Sequence, residues 1–182
     1  TLQSEKDAAI GERAGLVKKT EKGYYDRFRK RIMFPLTDAS GRVVGFSGRL
    51  YPADTQTADG NQSPKYLNSP ETELFQKSRI LFAFDKAKTA IRTHHFAILV
   101  EGQMDAVLAH QAGFKNTVAQ CGAAFTDDQA ELLKRYTKRV AVLMDADDRG
   151  REIAAAAIAV LHRHGMQTSE LLLPPGEDPD SL

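Results

Sequence analysis

"VAVLMDADDRGREIA", residues 140–154, sets the reading of the chain. The apolar run 140–144 is short and continuous, as expected of a strand covered on both faces. Asp145, Asp147 and Asp148 follow at once, and a strongly helical stretch, 151–164, comes next and ends at Gly165. At about 4 Å and an effective dielectric near 20, two like charges cost about 4 kcal/mol. Three such acids in four positions need a compensating positive charge. The same order occurs about 40 residues earlier, where "FAILV", 96–100, meets Glu101 and then a helical segment, 105–112, stopped by Gly113. A third instance is "SELLL", 169–173, followed by "PPGEDPD" with Asp178 and Asp180.

Working outward, a helix is expected over Phe84–Arg92 and a strand over Asn116–Gln120. Thr126 caps "DDQAELLKRY", which carries acids in its first turn and bases in its last, matching the helix dipole. Alternating strands and helices of these lengths imply a parallel sheet with helices on both faces. Ligands of such sheets bind beyond the carboxyl ends of the strands, so three strand ends deliver acids to one edge. Asp145 and Asp147 share a side of an extended segment, and Asp178 and Asp180 have the same spacing. Carboxylate oxygens around an open position suit Mg²⁺ or Mn²⁺, which predicts one or two divalent cations facing the aspartates. The alternative is that these are strand-end and N-cap acids, each satisfied by backbone N–H groups.

The first half reads differently. Residues 1–23 are polar and poorly periodic, and Lys18–Gly23 has the composition of a surface loop. "RIMFPLTDASGRVVGFSGRL", 31–50, reads as a hairpin turning at Asp38-Ala39-Ser40-Gly41, with Pro35 keeping its first strand at an edge. Residues 52–64 read as an exposed, mobile loop. From Lys18 to Arg49 there are nine Lys/Arg against three Asp/Glu, whereas Glu170 to the end holds four acids and no base. The net charge of +1 hides this asymmetry. It suggests a substrate that needs both cations and metal-binding oxygens. One cysteine, Cys121, excludes a disulfide framework and a Cys-rich zinc site and reads as a small buried residue. No apolar run approaches the ~20 residues of a membrane span, and a reducing cytoplasm fits. His162 and His164 read as solvated residues at a helix C-terminus, and His94 and His95 as surface.

The chain resembles the Toprim domain shared by primases, topoisomerases and some nucleases, and more closely the RNA polymerase core of bacterial DnaG-type primases. The resemblance rests on "YDRFRKRIMFPLTDASGRVVGFSGR" (25–49), "SPKYLNSPETELFQKSRILF" (63–82), "LVEGQMDAV" (99–107), "DADDRGREIA" (145–154) and "LPPGEDPDSL" (173–182). The hairpin and PKYLNSPET separate primases from other Toprim proteins. The resemblance implies an α/β fold: a Toprim domain with a Rossmann-like parallel sheet over 91–182, preceded by a smaller basic α+β subdomain over 1–90.

It further implies that Glu101 acts as general base or metal ligand and that Asp145 and Asp147 are principal metal ligands. Asp178 and Asp180 would complete the site, and Asp105 would be a supporting acid. Arg27, Arg29, Lys65, Tyr66 and Lys77 match positions associated with nucleotide or template contact. The implied cofactor is Mg²⁺ or Mn²⁺, two ions, with zinc held by a module outside this chain. The implied partners are a single-stranded DNA template, NTPs, the RNA primer and, through a domain not in this chain, the replicative helicase. The implied setting is the bacterial cytoplasm, associated with the nucleoid, with no membrane partner. The chain thus reads as an excerpt of a larger protein, or of a divergent relative. Gln103 stands where the family usually has an aromatic, and Asp145-Ala146-Asp147-Asp148-Arg149-Gly150 where it usually reads D-G-D-x-A-G. Two alternatives stay open: a Toprim nuclease or topoisomerase piece and, kept alive by Gln103 and Ala146, a weakly catalytic single-stranded-DNA-binding module. A receiver-type phosphoaspartate domain would leave PKYLNSPET unexplained.

Overall fold

A computed structural model describes residues 5–51, 64–122 and 124–172. The chain forms two compact units, Thr1–Leu36 with Val43–Gln76, and Thr37–Arg42 with Lys77–Leu182.

The first unit opens with α1 (Glu5–Arg13), then β1 (Val17–Thr20) and β2 (Gly23–Asp26), which pair antiparallel as a two-stranded ribbon. The loop expected over Lys18–Gly23 is therefore a hairpin. Its residues are mostly exposed, so no apolar alternation announced it. Gly23, at φ +108°, supplies the turn, and its carbonyl accepts the Thr20 hydroxyl at 2.8 Å. The hairpin expected over 31–50 is present as β3 (Arg31–Thr37) and β4 (Val43–Leu50), with β5 (Tyr66–Asn68) antiparallel to β4. β3 lies at the sheet edge, where Pro35 leaves no central donor missing. Gly45 leaves room for Phe75: a Cβ there would stand 2.9 Å from the ring. The turn is built on Asp38, whose carboxylate accepts from the Ser40 hydroxyl, the Ser40 and Arg42 amides and the Arg42 guanidinium. The Ser40 hydroxyl and Arg42 hold that carboxyl well below the usual range. The loop expected over 52–64 falls, but for Pro64, outside the described residues.

The second unit is built on a five-stranded sheet in the order β10-β9-β7-β8-β6. β7 (Ala97–Val100), β8 (Thr117–Gln120), β9 (Arg139–Leu143) and β10 (Gln167–Leu171) are parallel. β6 (Leu81–Phe82), unseen in the sequence because it is two residues long, pairs antiparallel with β8. β7 and β8 are buried along their length, as their apolar runs require. β9 is only half covered and β10 is an exposed edge.

Helices cover both faces. α2 (Phe84–His94), α4 (Asp127–Lys134) and α5 (Asp148–Arg163) pack on one, where Phe84, Ile91, Leu133, Ala154, Ala157 and Leu161 meet Leu99, Val118, Val140 and Val142. α3 (Gln103–Gln111) packs on the other, with Ala106 against Ile98, Val100 and Ala119. Of the alanine run 154–157, Ala154 and Ala157 are buried and the two between them are exposed. α4 starts in a capping box: Thr126 Oγ1 accepts the Gln129 amide at 3.2 Å, and Gln129 Oε1 accepts the Thr126 amide at 3.0 Å. α2 is bracketed by two left-handed residues that are not glycine, Ala83 (φ 61°) and His95 (φ 62°).

Candidate active site at the carboxyl edge of the sheet

Glu101 leaves β7 and Asp145 leaves β9 at adjacent positions of the sheet. Both are half-buried. Glu101 has its carboxyl pushed above the usual range by burial first and by the negative charge of Asp145 second. Asp147 adds to the rise, and Arg149 opposes it. Three of the acids expected to meet therefore share one electrostatic field. Among the described residues Arg149 supplies the positive charge that acts on Glu101 there, a role the sequence reading passed over.

Asp147 does two things. Its Oδ1 accepts the Gly150 amide at 2.6 Å and so caps α5, which begins at Asp148, three residues earlier than the sequence suggested. The N-cap alternative is thus true of Asp147 for one oxygen. Gly150 is buried against the end of β9, and a Cβ on it would lie 2.8 Å from the Asp145 carbonyl carbon. Glycine is required at this position. Ala146 does not adopt a positive φ, so its departure from the family's glycine costs no backbone strain. Arg151 reaches back to the Ala146 carbonyl at 3.1 Å and pairs with Asp148, closing the loop. A cavity of about 280 Å³ opens beside Asp145, bordered by Arg151 and by Glu170 of β10, an acid not singled out in the sequence.

Asp105 is buried, and its Oδ2 accepts the Gly102 amide at 2.7 Å, which fixes the turn carrying Glu101 into α3. Gln103, also buried, opens that helix. Gln120 ends β8 level with Glu101, one residue beyond the Val100–Ala119 pair. It is 2% exposed, and among the described residues neither side-chain polar atom has a hydrogen-bond partner. Asp178 and Asp180 lie outside the described residues. Among the described residues no three His, Cys, Asp or Glu side chains are arranged to hold a metal ion.

Of the expected template residues, Arg27 is half-buried and donates twice to the Asn68 carbonyl, at 3.2 and 3.3 Å. Arg29 is exposed, its guanidinium 4.8 Å from the Tyr25 ring centre. Tyr66 is half-buried with Arg49 over its ring, and Lys65 is exposed. These four belong to the first unit. Lys77 belongs to the second, in a short 3₁₀ turn whose carbonyl accepts Gln129 Nε2 at 3.2 Å. Cys121 is buried, and burial pushes its thiol up to about 12, so it is chemically inert.

Residues 2–88 match the family described as the N-terminal domain of the DNA primase catalytic core, and residues 98–182 match the Toprim-like family. The chain belongs to the DnaG-type primase family. Among DnaG-type relatives, the DNA primase of Listeria monocytogenes serovar 1/2a is 44% identical over 97% of this chain and 27% of its own length. That of Staphylococcus aureus strain COL is 40% identical over 96% of this chain and 28% of its own. The Aquifex aeolicus primase structure, with zinc-binding and RNA polymerase domains, superposes with a TM-score of 0.85 at 36% identity, over 98% of this chain and 45% of that one. A DnaG primase catalytic domain bound to single-stranded DNA gives 0.86 at 38% identity, over 99% and 55%. The chain thus spans about a quarter of the curated DnaG-type relatives and half of the solved cores. Among the described residues no helix is long and apolar enough to cross a membrane.

Proposed function

We propose that the chain carries the nucleotidyl-transfer centre of a DNA primase, joining ribonucleotides on a single-stranded DNA template. The observation that carries this reading is the shared field of Glu101, Asp145 and Asp147 at one strand edge, in a chain whose first half is also of primase type. That first-half match speaks against a nuclease or topoisomerase piece.

The donor set is all carboxylate oxygen, and among the described residues its mutual repulsion is opposed at Glu101 by one charge, that of Arg149, so the residues fit a hard divalent cation. Asp145, the second oxygen of Asp147 and Glu101 would hold Mg²⁺ or Mn²⁺, with Asp178 and Asp180 as the remaining candidates; two ions are expected. When bound, such ions supply charge stabilisation to phosphoryl oxygens. Glu101, with its raised carboxyl, is suited to accept the proton of an attacking 3′-hydroxyl. Arg149 lies where it can offset the charge of a triphosphate. Asp105 holds the Glu101 turn in place. Arg29, Lys65 and Tyr66 offer charge and an aromatic face to template, while Arg27 serves chiefly to hold β5. NTPs, the template and the primer product are the partners this reading requires, and a replicative helicase is the partner expected of the longer protein.

The test is primer synthesis by Glu101→Gln. Loss of a general base is expected to cost at least about 100-fold in dinucleotide formation, with an unchanged melting temperature. Unchanged turnover would remove Glu101 from its role.

A further inference from the structure

The amino edge of the same sheet, opposite the acids, carries positive charge that nothing in the catalytic reading uses. No acidic residue occurs between Asp85 and Glu101 or between Glu131 and Asp145, and these two stretches meet there. Tyr136 is the centre of the meeting. The Arg92 guanidinium lies 4.5 Å from its ring centre, and a cavity of about 360 Å³ beside it is lined by His95, Lys138, Arg139 and Gln167. Arg139 Nε donates to the His95 carbonyl at 3.1 Å, which leaves the rest of the guanidinium exposed. Among the described residues, Arg92, Lys138 and Arg139 have no carboxylate within ion-pair distance. The neighbouring acids Asp127 and Glu131 are committed to Arg163 and His164.

Helix ends explain part of this charge. The C-termini of α2, α4 and α5 point to this edge, and each carries about −0.5 of an elementary charge. Together they offset about half of the three full cations, leaving an excess of about +1.5 without any histidine. An exposed, concave cluster of cations whose neighbouring acids are already paired elsewhere suits a chain of phosphates.

We propose that this amino edge is a second contact for the phosphate backbone of single-stranded DNA, separate from the first unit's basic residues. It rests on the primase reading for the identity of the polyanion. Arg92, Lys138 and Arg139 would track the strand away from the carboxylate edge, raising affinity on long templates without touching the reacting nucleotides.

The experiment uses the full chain and a Lys138→Gln/Arg139→Gln variant, with anisotropy of labelled single-stranded DNA followed from about 50 to 200 mM salt. Each lost phosphate contact lowers the slope of log K against log salt by about 0.7, so the double variant should lose about 1.4 and show a salt effect about sevenfold smaller. Dinucleotide synthesis on a short template should stay at the wild-type level. Lys138→Gln alone, which touches no backbone carbonyl, should lower the slope by about 0.7, half the change of the double variant, and guards against misfolding by the double change. Inorganic phosphate and NTP at millimolar concentration should compete poorly; competition as effective as that of DNA would make this a single-phosphate site and overturn the proposal. An unchanged slope in both variants, with DNA still bound by the wild type, overturns this inference alone. Absence of DNA binding by the wild type overturns it together with the primase reading.

Discussion

At the scale of single residues, the site depends on one position without a side chain. Gly150 lets the start of α5 lie against the carbonyl of Asp145, and its amide is held by Asp147. Gly150→Ala must push the two apart. We expect a loss of about 1–3 kcal/mol in stability, the usual cost of overpacking, together with a drop in primer synthesis larger than that loss explains. Thermal unfolding and an activity assay on the same preparation check this; wild-type values in both would show that the strand end yields freely. The residues of the candidate site were legible to different degrees. Glu101, Asp145 and Asp147 stood out because acids placed directly after buried strands have few other reasons to be there. Arg149 did not, since an exposed arginine on a helix is ordinary until its neighbours are known. Gln120 gave no signal at all, because a glutamine at a strand end shows its missing partners only in three dimensions.

At the scale of elements, α4 and α5 are joined by a histidine. His164, expected to be solvated, is half-buried and bonds Asp127 at 2.9 Å and Glu131 at 2.7 Å, so the expectation of a solvated side chain was wrong. Asp127 first and Glu131 second raise the His164 value, and His164 first and Arg163 second lower that of Asp127. The contribution of His164 is therefore full below its unfolded value of about 6.5 and is lost as pH rises through its higher folded value. That of Asp127 is full above about 4 and is lost as pH falls through its lower folded value. The pair should help most between these limits. Melting temperature followed from pH 5 to 9 should fall more in the wild type than in His164→Gln; parallel curves would show that the histidine is idle. Elements with continuous apolar runs, β7 and β8 above all, were legible because burial on both faces leaves no other composition. The β1–β2 ribbon and α1 were not, because few of their residues are buried and no apolar period shows through. α5 was found but begun too late, since its cap is one of the acids assigned to metal.

At the scale of the molecule, the second unit is polarised, with carboxylates at one end of the sheet and cations at the other. Divalent cations should bind only the folded arrangement, so millimolar Mn²⁺ should raise the melting temperature. Asp145→Asn/Asp147→Asn should abolish the shift while keeping the α5 cap, because asparagine caps as well as aspartate. An equal shift in both proteins would place the ions elsewhere. The general α/β layout followed from the order of runs and acids, while the antiparallel β6 edge, two residues long, lay below what any pattern can show.

The left-handed residues around α2 bear on how firmly that helix is seated. An L-residue held in this conformation gives up about 1–2 kcal/mol. At His95 the carbonyl is thereby aimed at Thr137 and Arg139, at 2.8 and 3.1 Å, so the unfavourable torsion is tied to the start of β9. No comparable side-chain bond caps the helix at Ala83. Ala83→Gly should therefore gain up to about 1 kcal/mol once the extra freedom of the unfolded glycine is subtracted. Chemical denaturation would read that gain as a higher midpoint: a reserve of rigidity the natural sequence leaves untapped.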